Sequence, residues 1–504
     1  MNFLNKRIIL LMLAMQLMGC AALDGIKEKF SPSKTMQSTN IPAAWQAIQN
    51  KLPHAGKVDE LKSFWQQYDD VVLVDLIATA QQESATLASA KTRIAEAKLS
   101  RVSADAARLP TLDASFSASR AVQQPDLTFA GGGVGGGGFS GATDTYKTDL
   151  QAAWELDLFG KNASLFDAAS ARESALTAGW HEARVAVAAE LASAYFDARY
   201  CGLQLTLQQK DTASRKETAR LTAISQNAGF AALSAVNLAD ASVADAAQQI
   251  TAQQAQCDGD IKALVALTGL EESVIKQKLD STVFVADADA NAQRLALTEV
   301  PAEVISQRPD IYSAEADLMS AAAEIKNTVV QQYPKVSLNG SIGWMALSGV
   351  GFSGNGKVWS IGPVSITLPI YHAGVNIANI ASAEAKYEEA AANYRSKVRT
   401  AIKEVESSLV TLHSAAQQQT ELNLAIKNYQ ANLKATDAKV KAGFANLIEL
   451  EQSRRDALQA ETNLISLYKA RSNAWVALYR AAGGGWSRAN NTAATETTTQ
   501  LEKK

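Results

Sequence analysis

The sequence predicts a mostly α-helical chain that carries four membrane-type β-strands and is built twice over from one pattern. Three observations lead there. Alanine supplies 92 of the 504 residues and proline only 10, a composition that favours long, closely approaching helices over a thick aromatic core. Four segments alternate apolar and polar side chains with a period of two. The order helix, strand pair, very long helix, turn, shorter returning helix occurs once in each half of the chain.

The first twenty residues read as an address. Lys6 and Arg7 precede an apolar run, Ile8 to Leu17, that is too short to span a bilayer and ends in Leu17-Met18-Gly19-Cys20. That ending resembles a bacterial lipobox. The resemblance implies a signal peptide over 1–19 and a lipidated Cys20, and the following Ala21, not Asp, implies sorting to the outer membrane. The alternative is a plain secretory signal with an incidental Cys20. No later apolar stretch reaches 18 residues, so membrane insertion, if it occurs, must use strands.

The strands follow in two pairs. From Leu112 the apolar face holds Leu112, Ala114, Phe116 and Ala118; the next strand, Tyr146 to Leu158, sets Tyr146, Leu150, Trp154 and Leu156 against Lys147, Asp149, Gln151 and Glu155. The third sets Val336, Leu338, Ile342 and Trp344 against Lys335, Ser337, Asn339 and Ser341. The fourth, Val358 to Ile370, alternates less cleanly and contains Pro363 and Pro369. Glycine-rich links at 131–138 and 349–356 make each pair a hairpin. Alternation alone is also compatible with a soluble amphipathic sheet. In lipid, however, four strands cannot close a barrel, and an open edge leaves backbone groups unsatisfied, so several chains must share one barrel.

Between and after the strands run helical segments from about Asn162 to Asn227 and from Val375 to Lys441, each on the order of 100 Å long at the α-helical rise. Their apolar residues recur at spacings of three and four, as in coiled coils. Ala228-Gly229-Phe230 and Ala442-Gly443-Phe444 mark the turns that follow. Pro334 lies 224 residues after Pro110 and Gly443 lies 214 after Gly229, which makes the pattern an internal duplication rather than a solenoid repeat. The expected organisation is 1–19 signal peptide, 20–270 first repeat, 271–482 second repeat and 483–504 C-terminal tail.

Several chemistries are excluded. A formal charge of −3 argues against nucleic-acid binding. His54, His181, His372 and His413 with Cys20, Cys201 and Cys257 form no metal-ligand spacing. The glycines at 131–138 lack the following Gly-Lys-Ser/Thr of a phosphate loop. No nucleophile–base pair is evident, so neither an enzyme nor a cofactor is expected.

Gln307-Arg308-Pro309-Asp310-Ile311, with Ala314-Glu315 and Leu318, and Trp154-Glu155-Leu156-Asp157-Leu158-Phe159-Gly160-Lys161 resemble signatures of TolC-type outer-membrane efflux factors, in the lipoprotein (NodT-like) branch that serves RND efflux systems. The likeness spans about residues 40 to 485. It implies a homotrimer whose twelve strands, four per subunit, form a β-barrel on a long α-helical barrel, with 41–80, 270–305 and 482–504 in a surrounding belt. Outer-membrane lipid, a periplasmic adaptor protein and an inner-membrane RND-type pump are the implied partners, and passive exit of small toxic compounds the implied function.

By the same resemblance a periplasmic gate falls just after the second turn, with Glu449 at an acidic position of the family, Gln452 where another acid is usual, and Glu451 one place away. The alternative is a solvated helix face with Glu451 paired to Arg454 or Arg455. Gly229, Phe230, Gly443 and Phe444 are expected at adaptor-contacting turns, the phenylalanines either stapling their hairpins or, as favoured, meeting a partner. Cys201 and Cys257 stand 28 residues either side of Gly229, so antiparallel helices would bring them level, and the periplasm is oxidising. The competing functions are a protein-secretion duct and a non-conducting trimeric coiled-coil stalk.

Overall fold

The computed structural model describes residues 29–39, 41–42, 45–46, 64–66, 70–123, 141–284, 301–349 and 352–488. Cys20 and the glycines at 131–138 lie outside them. The elements are α1 (Pro32–Ser38), α2 (Val71–Glu83), α3 (Ala85–Ala106), β1 (Thr111–Gln123), β2 (Gly141–Leu156), α4 (Lys161–Asn227), α5 (Leu233–Thr268), α6 (Glu272–Asp280), α7 (Pro301–Ser306), α8 (Pro309–Val330), β3 (Lys335–Gly349), β4 (Phe352–Thr367), α9 (Val375–Lys441) and α10 (Leu447–Ala481). The run α3-β1-β2-α4-α5 recurs as α8-β3-β4-α9-α10. Corresponding helices agree almost residue for residue: 22 and 22, 67 and 67, 36 and 35.

Two compact units each draw on both runs. One comprises 1–38, 94–175 and 315–393 and contains the strands. They form one antiparallel sheet in the order β1-β2-β3-β4. The register stacks Ala114, Leu150, Ile342 and Trp359 at one level and Phe116, Thr148, Trp344 and Lys357 at the next. Residues of one parity therefore make a mainly apolar exposed face, interrupted by Thr148 and Lys357, with Leu112, Phe116, Leu150, Trp154, Ile342, Trp359 and Ile361 all open. From Tyr146 to Leu156 that face runs roughly 33 Å along the strand, or about 25 Å after a barrel-like tilt, the height of a bilayer band.

β4 explains its own irregularity. Leu338 pairs with Val364 but Gly340 with Ile361, so Gly362 and Pro363 together oppose Asn339. This extra residue flips the parity, and Val364 and Ile366 rejoin Trp359 and Ile361 on the apolar face. The strand also begins six residues before the expected Val358, because Gly354 and Gly356 complete the ladder opposite Leu347 and Met345 without side chains to signal it. It ends at Thr367, ahead of Pro369, which has no N–H to donate. β2 likewise stops at Leu156 rather than Leu158: Asp157 leaves the strand to accept hydrogen bonds from Asn162 N and Ala163 N, at 3.1 and 2.8 Å, capping α4. A small core beside the sheet joins Phe30, Leu318, Ile325 and Tyr387, with Phe30 edge-on to Tyr387.

The other unit comprises 39–93, 176–314 and 394–504. Its core is set by α2, whose Val72, Leu73, Leu76, Ile77 and Ala80 form one helical stripe packed with Leu191, Tyr195 and Phe196 of α4, Leu264 of α5 and Ile275 of α6. Each fully buried large side chain contributes about 1.5–3 kcal/mol. Asp70 caps α2, accepting from Val72 N and Leu73 N, and its second oxygen accepts from the Tyr195 hydroxyl.

Candidate channel face, latch and hairpin tips

The polar face of the sheet is built by the residues between the apolar ones. Asp149, only 4% exposed, accepts hydrogen bonds from Ser115 (2.8 Å) on β1 and from Lys147 (3.1 Å) and Gln151 (2.7 Å) on β2. It lies over Gly343 of β3, where an added Cβ would stand 2.6 Å from Asp149 Cβ and 2.3 Å from Thr148 O. The glycine is thus required by close approach rather than by turning.

At the sheet's exit the Trp154–Lys161 motif acquires a role at five of its eight positions. Trp154 Nε1 donates to Arg108 O at 3.0 Å, and Glu155 pairs with Lys161 (3.1 Å) and Lys335 (2.8 Å). Asp157 caps α4, and Gly160 turns the chain at φ +77°.

The Arg-Pro-Asp motif builds a buried clamp in the other unit. Pro309 opens α8. Arg308 donates through Nε and Nη2 to the two oxygens of Asp310, both at 2.9 Å. It also donates to Ala481 O at 2.8 Å and pairs with Glu404 at 2.8 Å, so one guanidinium joins the start of α8 and the end of α10 to α9. Nearby, burial pushes the Glu182 carboxyl above its usual range, Lys397 opposing and the Asp310 charge reinforcing the shift. Burial, then Arg184, holds the His181 imidazole down at about 4. Sequence reading recognised Arg308 and Asp310 but not Glu404 or the Ala481 carbonyl. No local signal joins them.

The expected gate residues separate sharply. Glu449 is exposed in the first turn of α10, where its N–H donates to the Asn446 side chain at 2.8 Å and its carboxylate accepts from Asn446 Nδ2 at 2.9 Å. It therefore helps to cap the helix. Glu451 is 7% exposed and faces α4: Thr218 Oγ1 donates to it at 3.0 Å, Arg215 lies 3.9 Å and Arg455 3.5 Å away. Arg215 is in turn held by Asp211 and by Ser242 of α5, each at 2.8 Å. Of the alternative reading, the pairing of Glu451 with Arg455 is present, but Glu451 is buried rather than solvated. Arg454, the other expected partner, donates to Ser214 at 3.2 Å.

Both turns have the same backbone. Phe230 N donates to Ser225 O and Gly229 N to Gln226 O; Phe444 N donates to Lys439 O and Gly443 N to Val440 O. These are Schellman caps, with Gly229 and Gly443 at φ +81° and +78°. In such caps the residue after the glycine commonly packs back on its helix. Here Phe230 and Phe444 stay 87% and 84% exposed, so neither staples its hairpin. Along the first hairpin the structure joins Cys201 of α4 to Cys257 of α5, Cα atoms 5.5 Å apart. Among the described residues no group of His, Cys, Asp and Glu could hold a metal ion, and no helix is long and apolar enough to cross a membrane.

A repeated helical hairpin, a sheet with a lipid-type face, and exposed turns define a subunit of a membrane-spanning channel. The sequence matches the outer membrane efflux protein family over residues 76–270 and 300–484, and the chain belongs to that family. It is 30% identical to outer membrane protein OprJ of Pseudomonas aeruginosa over 391 residues, 75% of this chain and 77% of that one. It is 27% identical to the toluene efflux pump outer membrane protein TtgI of Pseudomonas putida over 475 residues, 94% and 97% of the two chains. A crystal structure of a membrane protein from Pseudomonas aeruginosa superposes with a TM-score of 0.76 at 27% identity, covering 88% of this chain and 98% of the other. The fold class is that of a TolC-type subunit of a trimeric outer-membrane channel.

Proposed function

We propose that this chain is the outer-membrane channel of a tripartite efflux system, giving passive exit to small toxic compounds that an inner-membrane pump of the RND class delivers through a periplasmic adaptor. The carrying observation is the four-stranded sheet with an exposed apolar face and two unpaired edges, β1 and β4, which only further copies can close in lipid. Efflux is named for the relative from Pseudomonas putida, which matches over nearly its whole length.

In this reading Cys20 carries the lipid anchor, and Gly229, Phe230, Gly443 and Phe444 form the adaptor-contacting tips. Support for the tips is the exposure of both phenylalanines on rigid turns. The periplasmic gate is held by Glu451 acting as a latch from α10 to α4, with Glu449 shaping the helix start that presents it. The Cys201–Cys257 pair is oxidised in the periplasm and fixes the first hairpin. The test is planar-bilayer recording of the purified protein together with deletion of its gene. A stepwise conductance and hypersensitivity to several unrelated small toxicants are expected; a protein without conductance would be a stalk, and loss of protein secretion alone would make it a secretion duct.

A further inference from the structure

The charges on the polar face of the sheet do not all cancel. On that face of β1 to β4 the charged residues are Asp113, Lys147, Asp149, Glu155 and Lys335. Lys147 and Asp149 neutralise each other. Glu155 is matched by two lysines, Lys335 and Lys161, at the end of the sheet where β2 passes into α4. Asp113 is different. It is exposed, stands opposite Gln151, and its side chain has no hydrogen bond or ion pair among the described residues. Nor does the edge that would close against β1 supply a cation: the polar face of β4 carries Val358, Ser360, Pro363, Ser365 and Thr367, while Lys357 stands on the apolar face beside Trp344. Closure by copies of this chain therefore repeats Asp113 around the lumen and leaves it unneutralised.

We propose that Asp113 is a specificity-determining residue of the barrel, a carboxylate ring that favours cationic over anionic permeants on their way out. The inference rests on the channel reading. Rings of carboxylates bias pores toward cations, and low-dielectric walls focus the field of fixed charge. The neighbouring Lys147–Asp149 pair offers an internal control, since removing either member should expose the charge of the other.

The experiment is the reversal potential of the full-length protein in a planar bilayer under a potassium chloride gradient, comparing wild type with Asp113→Asn, Lys147→Gln and Asp149→Asn. All four share the same periplasmic end, so differences report on the barrel. The expected results are a cation-to-anion permeability ratio reduced about twofold in D113N, lowered again in D149N and raised in K147Q. A D113N channel with the wild-type reversal potential overturns the proposal, most clearly if K147Q still moves it. Absence of conductance in every protein would remove the channel reading and this inference with it, an outcome distinct from conducting channels of equal selectivity. Asparagine is close in shape to aspartate, and retention of the trimer on a gel checks that D113N is folded.

Discussion

The two helical hairpins are copies of one plan, yet they are fastened by different chemistry. Their helices keep an offset of 214 residues, from Lys161 and Val375 at one end to Leu233 and Leu447 at the other. At that offset Cys201 and Cys257 correspond to Ala415 and Arg471, and where the first hairpin is joined covalently, the second has the buried Arg471 donating to Gln419 of α9. The relation reverses near the tips. Asn446 caps α10 with its side chain, whereas its counterpart Ala232 offers α5 none. Glu451 reaches α4, while its counterpart is the neutral Asn237. A covalent bond holds one geometry until it is reduced; charge-assisted contacts can be exchanged for water at modest cost. A hairpin that must move and one that must not would be expected to differ in this way.

The largest effect is expected at the disulfide. Its ends lie 56 residues apart, and opening a loop of that size costs on the order of 4 kcal/mol in the chain-entropy account. Cys201→Ala should lower the melting temperature and abolish any effect of reductant, whereas equal melting with and without reductant in the wild type would show the thiols unpaired. Next comes the clamp at the start of the second run. Arg308→Ala strands Asp310 in a buried site and should destabilise by about 3 kcal/mol, against about 1 kcal/mol for Ser84→Ala, where Ser84 Oγ accepts from Leu87 N at the matching helix start. Similar losses in denaturant melts would make the clamp no more than an ordinary cap.

A smaller stability effect, but a larger functional one, is expected at the latch. Glu451→Gln should cost roughly 1–2 kcal/mol and raise resting conductance, while Asn237→Ala in the first hairpin should leave conductance alone. A tightly closed E451Q channel would assign the closure elsewhere. Least in size is the pH response of His181. Because burial lowers its pKa to about 4, the folded chain resists taking up the proton that the unfolded chain accepts below about 6.5. Stability from this site is complete above that pH and is lost progressively as pH falls toward 4. His181→Gln should flatten the dependence within that window; a wild-type melting temperature constant from pH 7 to 4.5 would contradict it.

Much of this was legible because it is local. The Ala-Gly-Phe turns, the alternation of β2 and the Pro309 start each depend on a few consecutive residues, and their structures follow from backbone sterics and side-chain period. The parts that escaped notice are those whose partner lies far along the chain. Thr218 and Glu451 are 233 residues apart, and nothing near either names the other. Gly354 and Gly356 read as loop because strand pairing by backbone alone leaves no mark in a hydropathy pattern.

The duplication, the period of each strand, the length of the helices and the need for further copies all follow from composition and spacing along the chain. Tertiary structure alone decided which carboxylate faces α4 and which caps a helix, although Glu449 and Glu451 are only two residues apart. On an α-helix two residues turn the side chain through about 200°, so exposure and burial at such neighbours are settled by what packs alongside. It also decided which charges on the sheet cancel, because Lys147 and Asp149 meet through the pleat while Asp113 on the next strand faces a neutral glutamine.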